Sequence, residues 1–476
     1  MTRLLRPLLF LTAGLALCTA GCAGTRPAAV HTDGPLAGPW LLTVHPVEPR
    51  GIGSIRTVLT FEPSGTGGAF EAHSRSGAVG DLAGGFRASM AAMAGGEAYT
   101  RGALVHVYDG VLVPSGDSLR VSGRLVTLNF GALTLSAGLR DGRLRGVVRH
   151  PTTGAVVARI DAEPYGGALP LQAYGALVPE ARALVAAHYH DPRVLDTPVW
   201  AGFWADAERR MGGAQDDLEA IVQFRTAARP LALSHFWIQR ASPERAAPVG
   251  DDGRGLTFAR RPDGVAVLTC REFELAQAGP VIEAAFAEME REAPSALVVD
   301  LRTCGGGDLS SMLVAAHLLD APAAGGLFLS NRWWRTHDAA PAREAWADLP
   351  SLAEPDLVAF FGALEAGGAL VMRVEPASPV YRGPVYVLTS GRTASAAEPL
   401  AHVLQTTGRA TLVGAPTAGA MLSSRTFPFG EGWELVVPVA DYFTAEGARL
   451  EGHGVVPDVA AEPEEAMERA IGVIGD

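Results

Sequence analysis

The chain has 476 residues and 48% hydrophobic content, so it can bury a large core and is expected to hold two or three domains. Its formal net charge of −12 argues against nucleic acid as a partner, because binding to phosphates depends on clustered Lys and Arg. No lysine occurs in the sequence, so all 39 basic residues are arginines. This excludes any mechanism with a lysine as base, Schiff-base former or phosphate clamp. No zinc-type Cys/His cluster is visible, and we expect neither a metal nor an organic cofactor.

The N-terminus is typical of a bacterial export signal. Arg3 and Arg6 precede an apolar run at 8–17 that is too short to span a bilayer, and small residues follow at 19–21. Cys22 comes next, which resembles a lipobox whose cysteine is acylated; the alternative is an ordinary secretory signal followed by a chance cysteine. We expect a signal peptide at 1–21 and a flexible tether at 22–37. The protein would then be lipid-anchored in the cell envelope, on the periplasmic face of the outer membrane or on the cell surface, and would touch the membrane through this anchor only.

Residues 38–165 are expected to form a β-rich domain. Short alternating apolar runs are separated by turns such as PSGD and DG, a pattern that predicts an antiparallel sheet closing as a barrel or a sandwich. The runs are WLLTV, SIRTVLTF, ALVHVY, SLRVSG, LVTLNF, LTLSAG, GRLRGVV and AVVARIDA. Between them, segment 81–96 is interpreted as a helix or a mobile apolar loop. No chemical constellation lies in this domain, and we assign it a binding or spacer role.

From residue 170 to residue 240 the periodicity is helical and predicts a helical subdomain. From 260 to 476 apolar strands alternate with amphipathic helices, which predicts an α/β core with a parallel sheet covered on both faces. We expect WELVVPVADYFT and the segment 452–456 to complete that sheet. Cys270 and Cys304 end two of the apolar runs; a disulfide between them is possible, and two unpaired buried thiols are the favoured interpretation.

The stretch PVYVLTSGRTASAAE at 384–398 predicts a strand that turns into a helix carrying Ser395 in its first turn. A hydroxyl at such a junction lies near free backbone N–H groups at the positive end of the helix dipole, which suits a nucleophile. The alternative is structural, because Ser395 and Glu398 also form the S-x-x-E pattern of a helix capping box.

Three separated stretches together resemble peptidase family S41, the group that contains carboxy-terminal processing proteases, tricorn cores and interphotoreceptor retinoid-binding modules. They are LVVDLRTCGGGD at 297–308, TSGRTASAAEPLAHVLQTTGRATLVGAPTAG at 389–419 and LEGHGVVPDV at 450–459. The resemblance covers roughly residues 176–476 and leaves the β-rich domain unexplained. It implies a ClpP/crotonase-like α/β core and peptide hydrolysis through an acyl-enzyme.

Carried over position by position, the resemblance makes Ser395 the nucleophile. It assigns the oxyanion hole to backbone N–H groups of Gly306 and Gly307 in the glycine loop and to that of Ala396. Glycines let the backbone approach a substrate closely. The alternative for the three glycines is a tight strand-to-helix turn.

The processing proteases of the family pair their serine with a lysine about 25 residues later, in a T-F-G-K-like motif. Here 417–420 reads TAGA, and a chain without lysine cannot form a Ser/Lys dyad. The resemblance is therefore to the tricorn and retinoid-binding branch, whose active members use a His base oriented by a carboxylate. It points to His235, in LSHF, as the base. Two other histidines are candidates: His453 is interpreted as structural, and His402 as pointing away from Ser395.

The same resemblance makes Glu451 the residue that orients His235, whereas the alternative is an exposed carboxylate at a strand end. Asp300 and Arg302 are interpreted as an internal ion pair. A PDZ domain, which many family members insert before the core, does not fit between residues 235 and 264. Peptide or protein substrates are therefore expected to bind as extended chains along a strand edge. The predicted function is that of a cell-envelope serine endopeptidase; the alternative is a catalytically silent module that binds an apolar ligand or an envelope protein.

Overall fold

The structure is a computed structural model that describes residues 35–47, 51–64, 68–75, 103–127, 131–242 and 255–475. The predicted signal peptide, Cys22, most of the tether and segment 81–96 lie outside these ranges. Among the described residues, no helix combines the length and the apolar character needed to cross a bilayer.

The β-rich domain is a closed antiparallel barrel of eight strands, which confirms the predicted fold class. Strand β1 pairs with both β2 and β8 and so closes the sheet on itself. The strands are β1 (Gly38–Pro46), β2 (Ile55–Pro63), β3 (Ala69–His73), β4 (Val105–Ser115), β5 (Ser118–Thr127), β6 (Gly131–Arg140), β7 (Arg143–Arg149) and β8 (Val156–Pro164). Inward side chains such as Trp40, Leu59, Val121 and Leu144 form its core.

Two details of the barrel differ from the prediction. The run SLRVSG and the first three residues of the run LVTLNF, predicted as two strands, belong to the single long strand β5, in which Gly123 and Arg124 pair in register with Leu135 and Thr134. Strand β3 was not predicted, since AFEAH is short and two of its five residues are polar.

A helical layer follows the barrel and has an aromatic core of its own. It contains α1 (Val178–His188), α2 (Pro198–Gly212), α3 (Asp217–Ala228) and short 3-10 turns at Tyr174–Leu177, Pro192–Val194 and Arg229–Leu231. Its buried rings include Trp200, Phe203, Trp204 and Phe224. The start of α3 contacts the barrel, where the buried Asp217 carboxylate accepts hydrogen bonds from the backbone and guanidinium of Arg56.

The α/β core contains the predicted parallel sheet and a second sheet that was not predicted. The first has the order β10-β11-β12-β16-β17-β20, in which only the β10–β11 pair is antiparallel. Its strands are β10 (Leu256–Arg260), β11 (Ala266–Cys270), β12 (Leu297–Asp300), β16 (Val385–Thr389), β17 (Thr411–Gly414) and β20 (Val459–Ala460). Strand β12 is buried along its whole length, as a strand covered on both faces must be.

The second sheet has the order β14-β15-β13-β19-β18, and β9 pairs with β19 beside it. Its members are β9 (Trp237–Arg240), β13 (Ala323–Ser330), β14 (Ser351–Leu352), β15 (Ala369–Val374), β18 (Ser423–Phe429) and β19 (Trp433–Phe443). Strand β19 is the WELVVPVADYF run; it pairs antiparallel with β18, β13 and β9 instead of joining the parallel sheet. The segment 452–456, also predicted as sheet, is a turn.

Helices of the core connect and cover these sheets. They are α4 (Leu275–Glu292), α5 (Ser311–Ala316), α6 (Asn331–Trp334), α7 (Leu357–Gly367), α8 (Ala397–Thr406) and α9 (Ala466–Gly475), with a 3-10 turn at Arg343–Asp348. Strands β12 and β16 are parallel neighbours, so the glycine loop after β12 and the Ser395 turn after β16 emerge at one edge of the sheet. This neighbourhood brings the predicted nucleophile and the predicted oxyanion loop together.

Candidate active site

Ser395 lies on a strained turn between β16 and α8. Its φ angle is 52°, a left-handed conformation that is uncommon for a residue other than glycine. Its backbone N–H donates to the carbonyl of Ala420 at 3.0 Å. The helix begins at Ala397 with no side-chain hydrogen bond at its N-cap, so the Ser395 hydroxyl does not cap it. The capping alternative is therefore not realised, and the hydroxyl remains available.

The glycine loop packs directly on the Ser395 turn. Gly306 has φ 105°, and a Cβ atom at this position would come within 2.4 Å of Ser395 Cβ and 3.0 Å of the Ala396 nitrogen. Only glycine permits this approach. In the described part of the chain, the N–H groups of Gly306, Gly307 and Ala396 donate to no protein acceptor. Gly307 and Ala396 line the same cavity as Ser395, so free backbone donors are available beside its turn.

Phe273 holds the glycine loop in place. Its N–H donates to the Gly306 carbonyl at 2.7 Å, and its carbonyl accepts from the Asp308 N–H at 2.8 Å. Gly307 has φ 126°, and a Cβ atom there would lie 2.0 Å from the Phe273 carbonyl oxygen. The loop is thus fixed by a strand-like pairing before any ligand binds, so its free amides are pre-organised.

His235 connects to Glu451 through a serine hydroxyl. The Ser234 Oγ lies 2.6 Å from His235 Nδ1 and donates to Glu451 Oε2 at 2.9 Å. A carboxylate can only accept, so the single Ser234 hydroxyl hydrogen points to Glu451, and the Ser234 oxygen accepts from an Nδ1–H. This assignment leaves His235 Nε2 without a proton, which is the tautomer that a general base needs.

Glu451 lies near His235, but among the described residues it forms no hydrogen bond with the imidazole. The residue is 6% exposed, and its carboxylate also accepts from the backbone N–H groups of Ser234 at 2.9 Å and Met421 at 2.7 Å. It is therefore a buried anchor and not the exposed strand-end carboxylate of the alternative interpretation. Sequence reasoning missed Ser234 as the intermediary, although its place next to His235 in LSHF was a usable signal.

His235 and Ser395 line the same cavity, of about 320 Å³. No hydrogen bond joins the two side chains in the described structure. Burial lowers the pKa of His235 to about 4, so its imidazole is neutral at ordinary pH. The lining of this cavity includes His235 but neither His402 nor His453. The His402 ring lies 3.4 Å from the Glu446 carboxylate, and the His453 ring lies 3.0 Å from the Glu451 carbonyl.

Glu398 supports the loop that carries the TAGA sequence. Its buried carboxylate accepts from the Thr417 hydroxyl at 2.6 Å and from the N–H groups of Gly419 at 2.7 Å and Ala420 at 2.8 Å. Burial is the main cause that raises its pKa. Ala420 accepts the hydrogen bond of the Ser395 N–H, so the last residue of the TAGA sequence lies beside the serine and carries a methyl group.

The interior of the cavity is mainly apolar. Its wall includes Met312, Phe328, Phe360, Met372 and Tyr442. The Tyr442 hydroxyl is already used, because it donates to the Gly325 carbonyl at 2.7 Å. Asp308 is the one carboxylate in this lining, and the lining contains no guanidinium. An apolar side chain of a ligand therefore fits it better than a charged one, which would lack a partner over most of the wall.

Two other predicted pairs have structural roles. Cys270 and Cys304 are free and fully buried, with their sulfur atoms 3.0 Å apart. The Arg302 guanidinium makes a bidentate ion pair with the Asp300 carboxylate at 2.7 and 2.9 Å, as predicted. Its remaining nitrogen donates to the Pro463 carbonyl, which ties the sheet edge to the segment before α9.

Known proteins resemble the part of the chain that carries this site. Residues 264–461 match the sequence model of peptidase family S41. The carboxy-terminal-processing protease of Bartonella bacilliformis is 37% identical over 79 residues, which are 17% of this chain and 18% of that protein. The carboxyl-terminal-processing protease of Synechocystis sp. is 40% identical over 79 residues, with the same two shares. The match thus spans less than a fifth of either relative.

The solved structure of a lipoprotein from Streptococcus agalactiae is also similar to this chain. The aligned part covers 65% of this chain and 99% of the lipoprotein, with 14% sequence identity and a TM-score of 0.43. The family match includes both the glycine loop and the Ser395 turn, which the structure places in contact. Residues 264–461 of the chain therefore match peptidase family S41 in the segments that form this site.

Proposed function

We propose that the chain is a serine peptidase that cleaves peptide bonds through an acyl-enzyme on Ser395. The observation that supports this proposal is the common cavity of Ser395 and His235, with free amides at Gly306, Gly307 and Ala396 in the adjoining loop and turn, and with His235 Nδ1 beside the Ser234 oxygen. The match of residues 264–461 to peptidase family S41 supports the same reaction class. A hydrogen bond between nucleophile and base is often long when no substrate is bound.

In the proposed reaction, Ser395 Oγ attacks the scissile carbonyl carbon while its proton passes to His235 Nε2. The carbonyl oxygen becomes an oxyanion and accepts hydrogen bonds from the amides of Gly306, Gly307 and Ala396. Collapse breaks the C–N bond, and His235 gives its proton to the leaving amine. Water then attacks the acyl-enzyme by the same steps in reverse, with His235 again as base.

Ser234 and Glu451 act as positioning residues in this scheme. When His235 becomes imidazolium, its Nδ1–H donates to the Ser234 oxygen, whose hydrogen bond to Glu451 strengthens as charge develops. The buried carboxylate thus stabilises the cation from a distance of two hydrogen bonds. This is a longer connection than the direct His–carboxylate contact of a simple triad.

For the substrate, we propose an extended peptide with an apolar residue at the cleavage site. The apolar cavity wall supports the second feature, and strand β18 supports the first, because it lies at the end of the strand order and Ser423 and Ser424 line the cavity. Lipid anchorage through Cys22 in the cell envelope stays part of the proposal on the evidence of the sequence alone.

The direct test is labelling by a fluorophosphonate, followed by peptide hydrolysis with the variants Ser395→Ala and His235→Ala. We expect labelling of Ser395 only, and a loss of turnover on the order of 10⁶-fold in Ser395→Ala, since the nucleophile is removed. His453→Ala is the matched control and should retain activity. Undiminished hydrolysis in either Ser395→Ala or His235→Ala would contradict the mechanism.

A specific observation in the barrel favours a second candidate function, the binding of an apolar ligand. The barrel encloses a cavity of about 100 Å³ lined by Leu42, Leu59, Phe61, Leu125 and other apolar side chains, among them Leu218 of α3. A dry apolar cavity of this size can hold a small hydrocarbon group. Extraction of the purified protein with organic solvent, followed by mass spectrometry, would detect a bound lipid; an empty extract speaks against this candidate.

A further inference from the structure

A second cavity, which we call the arginine pocket, lies next to the candidate active site. It has a volume of about 300 Å³, and its polar lining includes His188, Asn331, Arg332, Arg335 and Arg425. For a chain with a net charge of −12, three arginines around one cavity are a marked local excess of positive charge. Glu365 is the carboxylate in this lining, and it pairs with Arg425.

Two of the arginines have unused donors. The side chains of Arg332 and Arg335 form no ion pair or hydrogen bond within the described ranges of the structure. They lie three positions apart around the short helix α6, so their guanidinium groups are near one another. Burial and the neighbouring Arg425 lower the pKa of His188, so its imidazole adds no positive charge at neutral pH. The pocket therefore offers two free guanidinium groups to an anion.

One wall of the arginine pocket is aromatic. The Arg425 guanidinium lies 5.3 Å from the Phe361 ring centroid and 5.6 Å from that of Phe427, and His188 stacks on Phe427 at 4.2 Å. Arg425 is thus held in place by these rings and by Glu365, whereas Arg332 and Arg335 are exposed to solvent and to a ligand.

Strand β18 joins the arginine pocket to the catalytic cavity. Ser423 and Ser424 line the catalytic cavity, Arg425 and Phe427 line the arginine pocket, and Phe361 lines both. At about 3.3 Å per residue, the three steps from Ser424 to Phe427 span roughly 10 Å. A peptide extended along the free edge of β18 would therefore reach the arginines about three residues from the bond that Ser395 attacks.

We propose that the arginine pocket binds a carboxylate of the peptide substrate, about three residues from the scissile bond. The inference rests on the proposed function, which it deepens by naming an acidic group as part of the substrate. The carboxylate has two sources, an Asp or Glu side chain and the free C-terminus of the peptide. Arg332 and Arg335 bind it as fork-shaped donors, a geometry that suits carboxylates.

The test measures binding to the full chain carrying Ser395→Ala, so that turnover does not interfere. Fluorescein-labelled apolar decapeptides are titrated, with a single Glu moved through each position and the C-terminus either free or amidated. We expect one register of Glu, or the free C-terminus, to tighten binding about tenfold, since several charge-assisted bonds add roughly that much. The gain should shrink as salt is raised from about 50 to about 300 mM, because salt screens exposed charges.

Variants of the arginines separate a site from general electrostatics. Arg332→Gln combined with Arg335→Gln should abolish the gain and leave the neutral peptide's affinity unchanged. The matched control is Arg291→Gln with Arg382→Gln, which removes the same charge at exposed positions that already pair with Glu292 and Asp320. Equal losses in both double variants, or equal binding of neutral and acidic peptides, would overturn the inference.

The experiment distinguishes the two possible sources of the carboxylate, and it tests the pocket separately from the proposed peptidase function. A gain that follows the internal Glu identifies a side chain, whereas a gain lost on amidation identifies the C-terminus. If native Ser395 reacts with a fluorophosphonate while no peptide shows an acidic preference, the pocket assignment is wrong and the peptidase proposal stands. If Ser395 fails to react while the acidic peptide still needs Arg332 and Arg335, the pocket assignment stands and the catalytic proposal is wrong.

Discussion

Replacement of Ser234 by alanine tests the link between His235 and Glu451. The Ser234 oxygen is the hydrogen-bond partner of His235 Nδ1, at 2.6 Å. In Ser234→Ala the imidazole loses this partner, both of its tautomers become accessible, and the imidazolium of the transition state has no acceptor at Nδ1. The change therefore acts on the base and leaves the nucleophile and the oxyanion amides in place.

The expected magnitude follows from what remains in the variant. Glu451 keeps two of its three donors, the backbone N–H groups of Ser234 and Met421, so it is not left as an unpaired buried charge. The fold should therefore tolerate the change, with a loss of about 1 kcal/mol for each of the two hydrogen bonds that the Ser234 hydroxyl makes. In the transition state, a hydrogen bond to a charged group is worth about 1.5 to 3 kcal/mol, so kcat/KM should fall roughly 10- to 150-fold.

The assay is kcat/KM on a fluorogenic peptide across pH 4 to 9, for Ser234→Ala, Ser234→Thr, Glu451→Gln and the double variant Ser234→Ala/Glu451→Gln. Threonine keeps the hydroxyl and should restore most of the activity. Because Glu451 acts through Ser234, its substitution should cost much less in the alanine background than alone. Activity within twofold of the wild type in Ser234→Ala, or additive effects in the double variant, would refute the relay.

Three further outcomes are expected. First, because burial lowers the pKa of His235 to about 4 and the base acts in its neutral form, kcat/KM should be lost as pH falls through about 4; a midpoint near 6.5 contradicts this. Second, Gly306→Ala should abolish hydrolysis and cost about 1 to 3 kcal/mol of stability, because its Cβ would collide with Ser395. Gly305→Ala meets nothing within 4 Å and serves as its thermal-melt and activity control. Third, Cys270 and Cys304 should resist iodoacetamide in the native protein and react after unfolding, because both are buried and burial raises the pKa of the Cys270 thiol. Mass spectrometry of the labelled peptides measures this, and fast labelling of the native protein would contradict it.

Much of the candidate site could be predicted from local sequence. The turn at Ser395 and the glycine loop each follow an apolar strand, and parallel strands bring their carboxyl ends to one sheet edge. The absence of lysine removed the Ser/Lys mechanism with no structural information. Such statements concern residue types and short spacings, which local patterns record directly.

Other features depended on pairing between distant segments. Strand β19 has the apolar character of a buried parallel strand, yet it pairs antiparallel with β18, β13 and β9. The sequence could not predict this pairing, because hydrophobic periodicity indicates burial and does not identify the partner strand. For the same reason the sequence indicated a β-rich domain as a barrel or a sandwich, and only the pairing of β1 with β8 decided for the barrel.

The sequence by itself determined that a serine follows a strand-to-helix turn, that a glycine loop follows another strand, and that no lysine is available as a base. Only the tertiary structure decided that Ser234 stands between His235 and Glu451, which are 216 positions apart in the chain, and that Arg332 and Arg335 line one pocket with Arg425 of β18. The physical reason is that a hydrogen bond or an ion pair depends on distances of about 3 Å. Such distances between remote segments are set by how the sheets and helices pack, which no local pattern encodes.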